Sequence, residues 1–138
     1  MRGNATIVHT NWNTEPKHLC FKVFFEDKTA YEAEKYCESI GGLLASIHTQ
    51  EQNKLIHEKS NHTKTWIGLR FATVDANTRE KHWIDHSPTD FENWDRNEPN
   101  NLGGEYCTVV NADGTWNDIS CTRKFYFACQ IESITRCD

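Results

Sequence analysis

The sequence holds no run of lysine or arginine. Its 15 basic residues are outnumbered by 20 acidic ones, for a net charge of −5 over 138 residues. A nucleic-acid binder needs a basic face to neutralise phosphates, so that class is excluded. No stretch approaches the roughly twenty apolar residues that span a bilayer. The opening M-R-G-N-A-T-I-V-H-T has no apolar segment of the kind a signal peptide carries, so the expectation is a mature domain or ectodomain fragment with an added start Met. None of the six cysteines sits in a C-x-x-C pair, which argues against a structural zinc site. G-x-S-x-G and H-E-x-x-H are also missing, removing the usual presentations of a serine nucleophile and of a catalytic zinc. Seven histidines are present, but of the nearest pairs (His57 with His62, His82 with His86) neither sits in H-E-x-x-H, and His82-x3-His86 falls in loop and strand rather than on a helix, so they read as surface residues. There is no internal repeat and no low-complexity tract, and the length suits one domain with a single core.

Six cysteines in a chain of this kind read as three disulfides, whose connectivity spacing alone leaves open. Two N-x-[ST] triplets, Asn4-Ala5-Thr6 and Asn61-His62-Thr63, fit a secreted protein. Residues 1–18 are polar and predict a loose lead-in, followed by a domain over 19–138. The β-branched and aromatic run 19–25 predicts a strand. Thr29 and Glu32 form a capping box that opens a helix with Ala30, Ala33, Cys37 and Ile40 on one face; Gly41-Gly42 closes it. Thr49 and Gln52 predict a second capping box and a helix presenting Leu55 and Ile56. Further strands are expected at 65–69 (through Trp66-Ile67-Gly68-Leu69), 82–84, 105–110, 115–119 and 124–131, with Trp66 read as core. A long irregular stretch from 70 to 104 calls for a function.

The most informative segment is 98–121. It places the side-chain oxygens of Glu98, Asn100, Glu105, Asn117 and Asp118 among two cysteines, a proline and several turn residues. Carboxylate and carboxamide oxygens are what a hard divalent cation takes, and calcium tolerates their irregular arrangement best. Pro99 and Gly103-Gly104 interrupt regular structure. The Asn-Ala-Asp-Gly turn at 111–114 folds Trp116-Asn117-Asp118 back towards Glu105.

These residues resemble the carbohydrate-recognition domain of C-type lectins. The likeness rests on Glu98-Pro99-Asn100, Glu105 two residues before Cys107, Trp116-Asn117-Asp118 before Cys121, Cys37 in a helix, the Trp66–Leu69 motif, and Cys129 near the end. It implies an α+β fold with two helices packed on small antiparallel sheets, a long calcium-binding loop and disulfide staples. The implied pairs are Cys37–Cys129 and Cys107–Cys121, the latter closing a short loop worth about 3 kcal/mol in the chain-entropy model. Long forms of the family carry a further cysteine upstream of the one resembling Cys20. That cysteine is absent here, and a Cys20–Cys137 bridge is expected, with an intermolecular bridge as the rival.

The resemblance also implies one Ca2+ held by Glu98, Asn100, Glu105, Asn117 and Asp118, and a cis peptide before Pro99. Both the 3-OH and 4-OH of a sugar would be chelated by that ion. The Glu-Pro-Asn order marks the mannose-type class (mannose, fucose, N-acetylglucosamine, glucose), and Leu102 offers an apolar wall, if it is not an ordinary loop leucine. A second calcium site of the family is not expected, because Asn101 and Tyr106 stand where acidic residues would be needed and Asp75 and Glu80 do not restore the pattern. The expected protein is therefore an extracellular, non-enzymatic lectin. A single site is weak, so its glycan partners would be engaged through an oligomer or a multidomain parent. The competing expectation is the same fold binding a protein ligand or ice, with calcium only ordering the loop.

Overall fold

A computed structural model describes residues 5–8, 17–72, 80–100 and 106–137. Among them are eight strands and two helices in the order β1 (Ala5–Val8), β2 (Lys17–Lys28), α1 (Ala30–Ser39), β3 (Leu43–Leu44), α2 (Gln50–Lys59), β4 (Thr65–Phe71), β5 (Lys81–Trp83), β6 (Cys107–Val110), β7 (Trp116–Ile119) and β8 (Phe125–Ser133). The α+β class expected of the sequence is the class observed.

Two antiparallel groups make up the sheet. In one, β8 pairs with β2 and β3, and β1 adds to β2; in the other, β4 pairs with β5 and β6, and β6 with β7. They join where β4 runs parallel to β8, Thr65 opposite Tyr126 and Trp66 opposite Phe127. Helices cover both faces. On the α2 side lie Phe21, Val23, Ile56, Ile67, Leu69, Trp83, Val110, Trp116 and Ala128. On the α1 side lie Ala33, Cys37, Trp66, Cys107, Val109, Phe127 and Cys129. Successive residues of β4, β6 and β8 alternate between the two clusters, as side chains on a strand must. A sheet buried on both faces explains why the Trp66–Leu69 stretch is continuously apolar rather than alternating.

The Thr29 capping box forms as expected: the Thr29 hydroxyl accepts the Glu32 N–H at 3.2 Å, and the Glu32 carboxylate accepts the Thr29 N–H at 3.0 Å. That hydrogen bonding holds the Glu32 carboxyl below its usual range. The second box closes only halfway. Thr49 Oγ1 accepts the Gln52 N–H at 3.0 Å, but Gln52 Oε1 takes the His48 N–H at 2.7 Å instead of the amide of Thr49. Ile40 does not belong to the buried face of α1. It is the C-cap, 38% exposed, and the helix ends there with Gly41 at φ +87°, Gly41 N–H on Glu38 O and Gly42 N–H on Cys37 O.

Strand pairing lengthens several elements beyond their sequence signals. β2 extends to Lys28 because β8 follows it that far, with a register shift after Phe24. The polar lead-in, expected to be loose, contains β1, which pairs with β2 from Ala5 opposite Cys20 to Val8 opposite Lys17. Residues 43–44, between the two helices, pair with β8. Three disulfides, Cys20–Cys137, Cys37–Cys129 and Cys107–Cys121, tie β2 to the C-terminal segment, α1 to β8, and the start of β6 to the turn after β7.

Candidate functional site

The β6–β7 hairpin turns at 111–114. Asn111 N–H bonds Thr115 O at 2.7 Å, Gly114 N–H bonds Asn111 O at 2.9 Å, and Gly114 sits at φ +90°. Asp113 caps the turn by accepting the Thr115 hydroxyl at 2.6 Å and the Thr115 N–H at 3.0 Å, and these bonds hold its carboxyl below the usual range. In the hairpin Asp118 stands opposite Thr108, and Asn117 opposite Val109. Strand alternation sends Trp116 inward among Trp83, Phe91 and Trp94.

Trp116 fixes the hairpin to the rest of the molecule. Its Nε1–H donates to Asn53 Oδ1 at 2.7 Å, inside the core, and Asn53 Nδ2 donates to Gly114 O at 2.9 Å. Asn93 Nδ2 reaches the same Gly114 oxygen at 2.8 Å. The backbone of Trp116 is bonded on its outer edge by the loop: Trp116 N–H to Asn93 O at 2.8 Å and Asp95 N–H to Trp116 O at 2.9 Å, a short parallel bridge centred on Trp94. Glu98 N–H then bonds Asp95 O at 3.0 Å. The loop is thereby laid along β7 and delivers Glu98 and Asn100 to it. Asn53 and Asn93 were not singled out in the sequence. The available signal was a polar residue at the i−3 position of Ile56, on the buried face of α2.

The Glu98–Pro99 peptide bond is cis. Asn100 N–H donates to Asp118 Oδ1 at 3.1 Å, and Asn100 Nδ2 donates to Glu98 Oε2 at 3.3 Å. Asp118 is fully buried. These bonds bring Glu98, Asn100 and Asp118, which the sequence separates by up to twenty positions, into one cluster of oxygens. Asn117, half-buried, lines an open hollow of about 390 Å3 shared with Lys64, Asp95, Asn111, Ala112 and Asp113. Glu105 and Leu102 lie outside the described residues. Among the described residues no three His, Cys, Asp or Glu side chains converge as a metal cluster. The oxygens gathered there are two carboxylates, Glu98 and Asp118, with the Asn100 carboxamide beside them, a set whose hardness suits calcium rather than zinc. His57 and His62 stack on each other at 4.3 Å between centroids, and His57 Nε2–H donates to Ala112 O at 2.6 Å.

The family model for the Lectin C-type domain matches residues 26–131. The low affinity immunoglobulin epsilon Fc receptor of Mus musculus is 32% identical over 139 residues, covering 99% of this chain and 40% of the receptor, so the chain spans about two fifths of that relative's length. The cow C-type carbohydrate-recognition domain of CD23, solved in the presence of GlcNAc2Man3 oligosaccharide, superposes with a TM-score of 0.71 at 34% identity, covering 83% of this chain and 86% of that one. A calcium-independent type II antifreeze protein superposes with a TM-score of 0.74 at 26% identity, over 94% of this chain and 92% of that one. The matched domain, the disulfide-stapled two-helix fold and the ordered motifs lead to one statement: this chain belongs to the C-type lectin domain family.

Proposed function

We propose that this domain binds carbohydrate through a calcium ion, with mannose-type specificity. The observation that carries this reading is the meeting of Glu98, Asn100 and Asp118 through the two hydrogen bonds of Asn100. Calcium accepts about six to eight oxygens. Glu98, Asn100, Glu105, Asn117 and Asp118 would hold it and leave room for others. When bound, the ion supplies open coordination positions to the 3-OH and 4-OH of one sugar. The side chains then act on those hydroxyls: a carboxylate (Glu98, Glu105) accepts a hydroxyl proton, and a carboxamide NH2 (Asn100, Asn117) donates to a hydroxyl oxygen. Asp118, buried at the base, serves chiefly to hold the ion, and Leu102 to wall the sugar.

In this reading residues 1–18 precede the recognition domain of 19–138, the protein works outside the cell and performs no catalysis. Affinity for a monosaccharide is about millimolar, roughly 4 kcal/mol, so glycan capture needs several sites on one particle. Calorimetry with calcium, followed by mannose against galactose, tests it. The expected result is calcium uptake and a mannose heat that EGTA abolishes. Sugar binding that survives EGTA, or a preference for galactose, overturns it.

A second reading is favoured by the likeness to the calcium-independent antifreeze protein: the fold binds ice or a protein ligand, and calcium at most orders the loop. A glycan array that stays blank with calcium present, together with thermal hysteresis, would select it.

A further inference from the structure

We propose that Asn61 carries an N-linked glycan. Asn61-His62-Thr63 is an acceptor triplet placed immediately after α2. Both Asn61 and Thr63 are exposed. Helix α2 ends in a complete C-terminal turn: Ser60 is the C-cap, Asn61 N–H bonds Glu58 O at 3.0 Å, and His62 N–H bonds His57 O at 3.2 Å. These bonds put Asn61 in the left-handed region at φ 57°. For that backbone alone glycine is the favoured residue, with asparagine second. The Asn61 side chain makes no hydrogen bond to the described residues, so its carboxamide is not there to complete the turn. The Thr63 hydroxyl makes one long bond within the triplet itself, donating to Asn61 O at 3.4 Å. The triplet is thus compatible with the fold without being required by it, and its acceptor residue is exposed.

An independent observation concerns compartment. Three disulfides, and no unpaired cysteine, belong to a chain matured in an oxidising lumen. N-glycosyl transfer occurs in that same setting. The donor is a lipid pyrophosphate-linked oligosaccharide. The bond between its anomeric carbon and the pyrophosphate oxygen breaks, a bond from that carbon to Asn61 Nδ2 forms, Nδ2 gives up one proton, and the lipid pyrophosphate leaves. Transfer precedes folding; what the fold decides is whether the sugar can be accommodated, and an exposed turn accommodates it. The glycan would stand at the end of α2 beside the hairpin tip, to which His57 is bonded through Ala112 O.

This inference rests on the extracellular reading above but not on calcium or mannose. The test is expression through the secretory route of a eukaryotic cell, with peptide mapping of the secreted protein before and after an amide-cleaving N-glycosidase. The peptide holding residue 61 is expected to carry hexosamine-based sugar, and enzyme treatment should turn the acceptor carboxamide into a carboxylate. Asn61→Gly, which keeps the left-handed turn, and Thr63→Ala should each lose that sugar; Thr63→Ser should keep it. Mapping separates this site from Asn4. A secreted, disulfide-bonded chain with a bare residue 61 overturns the glycan and leaves the lectin reading standing. A chain directed into the secretory route by an added leader that is secreted with its cysteines unpaired and residue 61 bare overturns both the glycan and the extracellular placement.

Discussion

Replacing Asn53 with alanine should destabilise the protein by about 2.5–4.5 kcal/mol. Asn53 is buried and serves both sides of the hairpin, accepting from Trp116 Nε1–H at 2.7 Å and donating to Gly114 O at 2.9 Å. The two losses differ in size. Trp116 is fully buried, so its indole N–H would be left without an acceptor, at about 1–3 kcal/mol. Gly114 O keeps its bond from Asn93 Nδ2 at 2.8 Å, so the second loss is nearer ~0.5 kcal/mol. The vacated volume adds roughly 1 kcal/mol. Urea unfolding with the disulfides intact should show a lower midpoint at unchanged slope. Asn93→Ala alone should cost under ~1 kcal/mol, since Asn53 still serves Gly114 O. The double substitution should cost more than the sum, because only then does that buried carbonyl lose both side-chain donors. An Asn53→Ala variant within about 0.5 kcal/mol of the parent, or strictly additive losses, would refute the clamp.

Gly114→Ala should be destabilising by about 1–2 kcal/mol by the same unfolding assay, because the position lies at φ +90° and a Cβ there would come within 3.2 Å of the His57 ring. Asp85 supplies a pH dependence: burial raises its pKa, but hydrogen bonds from Ser87, Ser46 and Gln130 outweigh it and leave the carboxyl below its usual value. A depressed carboxyl contributes stability that is fully present above the unfolded value near ~3.9 and is lost as pH falls through the folded one. The stability gap between parent and Asp85→Asn should therefore be constant at neutral pH and shrink on the acid limb; a gap that widens there refutes it. In the proposed function, exchanging acceptor and donor by Glu98→Gln with Asn100→Asp should move a glycan array profile towards galactose, and an unmoved profile counts against the hydroxyl assignments. Calcium requires ionised carboxylates, so sugar should be released on acidification to about pH 4.5; retention there contradicts the metal-mediated reading.

Signals carried within a few residues were legible from the chain. Thr29 and Glu32 make their reciprocal bonds because a capping box needs only its own turn, and Gly41 stops α1 for the same reason. The oxygen-bearing residues of 98–118 could likewise be picked out, since carboxylates and amides at motif spacing are visible without a fold. Gln52 shows where local reasoning ends. Its side chain had two amides in reach, and the path of the chain before α2 gave it the one on His48. Strand ends at Lys28 and Ser133 were set by the partner alongside, not by their own residues. Cysteine spacing left the pairing open, and the bridges follow from which strands and helices become neighbours. The role of Asn53 was hidden for the same reason. Its partners Gly114 and Trp116 are more than sixty positions away, and a hydrogen bond across that distance in sequence exists only once the sheet has brought the hairpin against α2.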